Sequence, residues 1–220
     1  MTRDAAPTAR RSPSGLVLPA RFYDRPTELV ARELLGTVLE CTTPEGVTSA
    51  RIVETEAYIG PDDPACHAAA GLTRRTVHLF GPPGKAYVYF IYGMYWCFNA
   101  VTRGRGHGSA VLVRAAHPIS GLDLMRRRRS RAHRDRDLTN GPGKLCLAMG
   151  IVGTMNGTSL RDGPIVIRAG EPVDDSSVIV TPRIGITQAA EWPLRFLVRD
   201  DPYVSKTPAQ FVRRAYGLTS

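Results

Sequence analysis

The sequence predicts a single α+β domain built on an antiparallel or mixed β-sheet, and three observations support that fold class. Runs rich in β-branched and aromatic residues (37–42, 47–57, 86–99 and 109–115) are separated by turn residues rather than by long helical periods. Helical patterning is confined to short segments on either side of these runs. The chain has 220 residues and 43% hydrophobic content, enough to bury one substantial core.

Residues 1–15 mix Pro, Ser, Ala and Arg without periodicity and read as a disordered arm, leaving 16–220 as the domain. Order is expected from Leu16. Residues 22–35 read as one amphipathic helix, with Pro26-Thr27-Glu28 as its start and Gly36 as its C-cap. Two strands follow, broken by Pro44-Glu45-Gly46 in the manner of a hairpin. The second contains Glu54, Glu56 and Tyr58, which a period of two places on one face.

A long connection over 60–84, rich in Pro and Gly, carries Cys66-His67 and the basic pair Arg74-Arg75; loops of this length in compact domains are functional or disordered. Residues 86–99 then read as two aromatic-rich strands reversed at Tyr92-Gly93, and the strand 109–115 delivers Arg114. A helix over 119–129 runs into RRRRSRAHRDRD, a block of charge that read alone is a solvated loop and read collectively assists phosphate binding. Residues 140–150, NGPGKLCLAMG, give a turn, Lys144 and a short apolar helix, without the spacing of a Walker motif. Short strands at 165–167, 178–180 and 192–198 end the domain, and 203–220 reads as a peripheral tail.

Charge narrows the partner. A formal balance of +9, from 29 Lys+Arg against 20 Asp+Glu, favours an anionic ligand, and a polyphosphate is the commonest. Cys41, Cys66, Cys97 and Cys146 are widely spaced, with neither C-x-x-C nor paired His, so no zinc site or redox dithiol is signalled. No apolar run reaches a membrane span and no secretory h-region is evident, so the expectation is a cytoplasmic protein without membrane association.

Taken in order, RIVETEAY, GPDDPACH, YVYFIYGMYWCFN, VLVRAAHP, NGPGKLC and the late RIGI with EWPLRF resemble the alkyladenine (methylpurine) family of 3-methyladenine DNA glycosylases, from about Leu16 to Ser205. One departure is evident: the family commonly has T-P-R before the hairpin, where this chain has Thr73-Arg74-Arg75.

The resemblance implies a curved, largely antiparallel sheet flanked by helices, with a hairpin that inserts into DNA. It implies excision of damaged purines from double-stranded DNA by a monofunctional hydrolase; a monomer is the simplest expectation, and that chemistry requires no metal or other cofactor. Glu56 would be the general base holding the attacking water, and Arg114 would help to orient it. Spacing alone does not separate Glu56 from Glu54; the family pattern does, leaving Glu54 as a buried structural partner. A base inside a duplex is reached only after extrusion, at a cost of a few kcal/mol. The resemblance gives Tyr92, with Met94 beside it, the gap left behind. It gives Tyr58, His67 and Tyr89 the stacking walls, Asn99 the exclusion of guanine, and Ile184 and Gly185 a backbone lining. Arg74, Arg75 and Lys144 are candidate contacts to the DNA backbone.

Read without the family, these residues have plainer roles. A lone strand glutamate is usually a surface residue or an ion-pair member, and an aromatic at a hairpin tip as often folds back on its sheet. Two other functions fit parts of the pattern. A catalytically silent DNA-binding module would keep the wedge and basic loop but has no use for Glu56 and Arg114. A carbohydrate hydrolase would pair Glu54 with Glu56 or Asp62 at a defined separation, and has no need of the positive charge.

Overall fold

The period-two pattern through Glu54, Glu56 and Tyr58 belongs to the longest strand among the described residues. A computed structural model describes residues 15–207. The arm expected over 1–15 lies outside the described residues except for Gly15, as does the tail beyond Thr207. Strands β1 (Val38–Thr43) and β2 (Gly46–Tyr58) form the first expected hairpin. Strands β3 (Ala86–Ile91) and β4 (Tyr95–Thr102) form the second, and β5 (Ser109–Ser120) returns along β2. Three short strands, β6 (Ile165–Arg168), β7 (Val178–Thr181) and β8 (Arg195–Val198), complete the sheet.

All pairings are antiparallel, in the order β3-β4-β5-β2-β1-β6, with β8 joining both β2 and β7. One edge of β2 carries β1 along its first half and β8 along its second, while β5 follows the other edge. That branching, with bulges between β2 and β5 that add twist, curls the sheet into a half-barrel. The result is the expected mixed α+β domain with a largely antiparallel sheet.

Helices α1 (Ala20–Tyr23), α2 (Thr27–Glu33), α3 (Leu122–Arg128) and α4 (Pro142–Met149) flank it. The single helix expected over 22–35 is two, because Pro26 disfavours helical backbone at Arg25 and instead begins α2. The helix expected from Ile119 starts at Leu122, since the ladder to β2 continues to Ser120 and Gly121 makes the turn at φ 75°. The last strand begins at Arg195 rather than Trp192. None of the described helices is long and apolar enough to cross a membrane.

The period of two sorts side chains onto two faces. Ala57, Val88, Phe98, Ala100, Val111 and Val113 turn toward α2 and α4 and form the main core with Val30, Ala31, Leu145 and Met149. Their strand neighbours Tyr87, Val101 and Ala110 form a smaller cluster on the opposite face, where Cys66, Ala68 and Leu79 from the 60–84 connection cover them. The open part of that second face is the site described next.

Gly36 illustrates how tightly the sheet and its connections meet. Its φ is 85°, its N–H donates to the Ile52 carbonyl at 2.9 Å, and an added Cβ would lie 2.1 Å from the Glu171 carbonyl oxygen. Gly36→Ala is therefore expected to destabilise the fold by about 2 kcal/mol, measured as a lower urea midpoint at unchanged slope.

Candidate active site

Glu54, Glu56 and Tyr58 project from β2 onto the face away from the main core, as their spacing expects, but Arg114 reaches them through an irregularity. In the β2–β5 ladder Glu54 pairs with Ala115 and Thr55 with Val113, so Arg114 is the extra residue of a bulge. In an unbroken ladder it would sit opposite Thr55, whose hydroxyl donates to the Ala31 carbonyl on the core side. The bulge instead aims the guanidinium at both glutamates. Its Nε donates to Glu54 Oε1 at 3.0 Å, and Nη1 lies 3.2 Å from Glu56 Oε2.

Glu54 is wholly buried and saturated with donors. Besides Arg114, Oε1 accepts from Arg195 Nε at 2.6 Å and Ser205 Oγ at 2.8 Å, and Oε2 accepts from the Ser205 N–H at 2.7 Å. Burial by itself would raise its pKa, but Arg114, Arg195 and the two Ser205 donors outweigh that and hold it below its ordinary 4.5. Residues 203–207 are thus no peripheral tail: Ser205 caps Glu54, and Thr207 accepts from Arg195.

Glu56 is also wholly buried. Its Oε1 accepts from the Ile184 N–H at 2.7 Å, and Oε2 accepts from the Tyr58 hydroxyl at 3.0 Å beside Arg114. Tyr58, Arg114 and Ile184 line a cavity of about 330 Å³, so Glu56 lies immediately behind its wall. Burial and the neighbouring Glu56 charge both raise the Tyr58 pKa, keeping it a phenol that donates. Burial also works against the Arg114 charge, but Glu56 and Glu54 more than restore it.

The remaining walls are aromatic. Tyr87 and Tyr89 alternate with buried Val88 on β3, and the 60–84 connection brings His67 across to them. His67 meets Tyr89 edge-on, with ring centres 4.5 Å apart, and its Nδ1 is 2.9 Å from the Tyr87 hydroxyl. Burial, helped by Arg75, lowers the His67 pKa to about 4, so the ring is neutral at physiological pH. Asn99 lies on the floor, its Nδ2 donating to the Tyr87 carbonyl at 3.1 Å. Gly185 lines the opposite rim beside Ile184. Among the described residues, no group of three or more His, Cys, Asp or Glu is placed to hold a metal.

At the mouth stands the β3–β4 turn. Tyr92 and Gly93 both have positive φ, 53° and 68°, in the three-residue connection between the paired Ile91 and Tyr95, and the Met94 N–H closes the turn on the Ile91 carbonyl at 3.2 Å. Tyr92 is 77% exposed and Met94 64%, so neither folds back on the sheet. Arg75 is exposed with its guanidinium carbon 5.5 Å from the Tyr89 ring centre, and Arg74 is exposed beside it. Lys144 is exposed on α4, bonded to Asn140 Oδ1. The basic block is partly self-neutralised: Arg126 pairs with Asp123 and Asp135, Arg128 with Glu45, and Arg134 with Asp137.

Sequence reading missed four contributors: Tyr87, Ser205, Arg195 and the buried pair Asp63–Arg183, whose two bonds are 2.5 and 2.8 Å. Tyr87 shares the alternation of Tyr89 and was findable. The other three act across 120 to 151 residues of chain, which no local pattern reports.

With this geometry established, comparison gives consistent matches. The family model described as methylpurine-DNA glycosylase matches residues 21–202. A protein of Methanocella arvoryzae is 47% identical over 194 residues, covering 86% of this chain and 96% of its own. Proteins of Methanoculleus marisnigri and Myxococcus xanthus are each 49% identical, over 87% of this chain and 100% and 94% of theirs. All three carry the name "Putative 3-methyladenine DNA glycosylase".

Glu54→Gln is expected to cost about 3 kcal/mol, because it leaves two buried guanidinium groups short of one charge. The native carboxylate has a depressed pKa, so its contribution is complete above the unfolded value near 4.5 and is lost as pH falls through the folded one. Urea unfolding at about pH 7 and about pH 3.5 should therefore show a smaller acid-induced loss in Glu54→Gln than in the native chain.

Proposed function

The chain belongs to the methylpurine-DNA glycosylase family, and on that premise we propose that it extrudes a damaged purine from duplex DNA into the aromatic cavity and cleaves it with a water held by Glu56. It is a DNA-3-methyladenine glycosylase, a hydrolase of N-glycosyl bonds acting in DNA repair. One observation carries the mechanistic reading: a buried carboxylate bonded to three lining residues of an aromatic cavity whose mouth bears an exposed tyrosine.

Cleavage of an N-glycosyl bond builds positive charge on the sugar, so a negative group and a water on the face opposite the leaving base both help. Glu56 supplies the charge. A carboxylate offers about four acceptor sites, and described residues take three of them, leaving one on Oε1 for a water. Arg114 fixes the carboxylate in place from Oε2 and orients the same water.

Tyr58, Tyr89 and neutral His67 stack the extruded base, each contact worth about 1–3 kcal/mol. Tyr92, with Met94 beside it, fills the vacated position in the helix. Asn99 crowds the exocyclic amine of guanine, while Ile184 and Gly185 complete the rim. Arg74, Arg75 and Lys144 meet the phosphate backbone. No lysine stands where a nucleophile would, so the product is an abasic site without strand scission, and the protein acts as a monomer.

Neither alternative function suits the geometry. Glu54 has every donor it can use and cannot serve as a second acid, and Asp62 is exposed on the loop outside the cavity. A silent binding module has no reason to bury Arg114 between two carboxylates.

Release of free base from duplexes carrying 1,N6-ethenoadenine, hypoxanthine or a methylated purine tests this reading. Glu56→Gln should lose about 10²- to 10⁴-fold in single-turnover rate while still binding the duplex. Equal rates would remove Glu56 from the mechanism. Tyr92→Ala should lower the same rate by about 5- to 150-fold, with free single strands affected less than duplex; a duplex rate unchanged by Tyr92→Ala would remove the wedge.

A further inference from the structure

Directly behind the cavity lies an ion pair that the chemistry above does not use. Asp63 and Arg183 are both buried, 0% and 2% exposed, and neither lines the cavity. Arg183 grips Asp63 with both terminal nitrogens, and Nη1 also donates to the Ala57 carbonyl at 3.0 Å. Asp63 in turn accepts from the backbone N–H groups of Ile59, at 3.3 Å, and Ala65, at 3.1 Å. One pair therefore ties together the end of β2, the connection that carries His67, and the 182–186 segment.

Two details give this tie a direction. The Arg183 guanidinium carbon lies 4.7 Å from the Tyr58 ring centre, so the ring that forms a cavity wall is backed by a flat cation. Arg183 is also the residue before Ile184, whose N–H donates to Glu56 at 2.7 Å. A buried ion pair is a poor source of net stability, since desolvation offsets its attraction. A bidentate fork is, however, a strong geometric constraint, and a lysine cannot reproduce its plane.

We propose that Asp63 and Arg183 are positioning residues for base excision: their buried pair sets the plane of Tyr58 and the placement of the Ile184 N–H, and so fixes two of the three protein contacts that hold Glu56. This rests on the reading of Glu56 and Tyr58 given above. Neither residue touches the DNA or the reacting atoms. Both act through the tilt of one aromatic ring, which governs its stacking on the base and the reach of its hydroxyl to the carboxylate.

The test compares Arg183→Lys, Asp63→Asn and Glu56→Gln by single-turnover release of 1,N6-ethenoadenine at saturating enzyme, with rates normalised to the folded fraction from near-ultraviolet circular dichroism. Arg183→Lys and Asp63→Asn are each expected to lose about 10- to 100-fold in rate, with duplex affinity held within about threefold. Fluorescence of the ethenoadenine gives the readout that a merely structural role would not move. In a Glu56→Gln background the bound base should be quenched by stacking, and adding Arg183→Lys or Asp63→Asn should relieve much of that quenching.

Wild-type rates per folded molecule in both pair variants, beside an inactive Glu56→Gln, would overturn the positioning role alone. So would slow pair variants whose ethenoadenine is quenched as fully as in Glu56→Gln. A Glu56→Gln protein as fast as wild type would instead overturn the underlying mechanism. Asp63→Asn carries the comparison if Arg183→Lys does not fold, and the reverse.

Discussion

Everything in the site depends on one nearly buried guanidinium held between two carboxylates at the cavity wall. Arg114 bonds Glu54 on one side and Glu56 on the other, and isolated charges at such depth would be very costly. The network is balanced: Glu54, Glu56 and Asp63 lie with Arg114, Arg183 and Arg195 under one wall of the cavity. The protein can thus hold these carboxylates beneath the cavity wall without carrying excess buried charge. Glu54 is the anchor that makes this possible, because its donors from β8 and from Ser205 leave it nothing else to do.

The sheet supplies the geometry around this network. Its alternating pattern sends aliphatic side chains toward α2 and α4 and sends tyrosines, Asn99 and the glutamates to the other face. The 60–84 connection then closes that face from above, so a loop that reads as irregular is a wall of the cavity. One of the breaks in the β2–β5 ladder, the one at Arg114, is what brings a cation to a face that regular pairing would deny it.

This division explains what could be read from the chain. Strand order in the two hairpins, the exposed turn at Tyr92-Gly93 and the shared face of Glu54, Glu56 and Tyr58 follow from local periodicity and turn chemistry. Arg114 could be placed on its strand but not on its face, since a bulge leaves no mark in a strand pattern. The partners of Glu54 were invisible for a different reason. Arg195 and Ser205 come from segments more than 140 residues away, brought near by the branching of the sheet at β2. The continuous helix read over 22–35 failed on a local rule, the restriction that Pro26 places on Arg25. Choosing Glu56 over Glu54 required the family pattern; in the structure the described partners of Glu56 all line the cavity, whereas Glu54 is also held by Arg195 and Ser205, which do not.

The most direct test is a crystal structure of Glu56→Gln bound to a duplex containing 1,N6-ethenoadenine. The base should lie in the cavity against Tyr58, Tyr89 and His67, with Tyr92 in the gap it left. One ordered water should bridge residue 56 and the sugar carbon C1′ on the face opposite the base. A base still stacked in the helix, or an occupied cavity with residue 56 turned away from C1′ and no water between them, would contradict the mechanism.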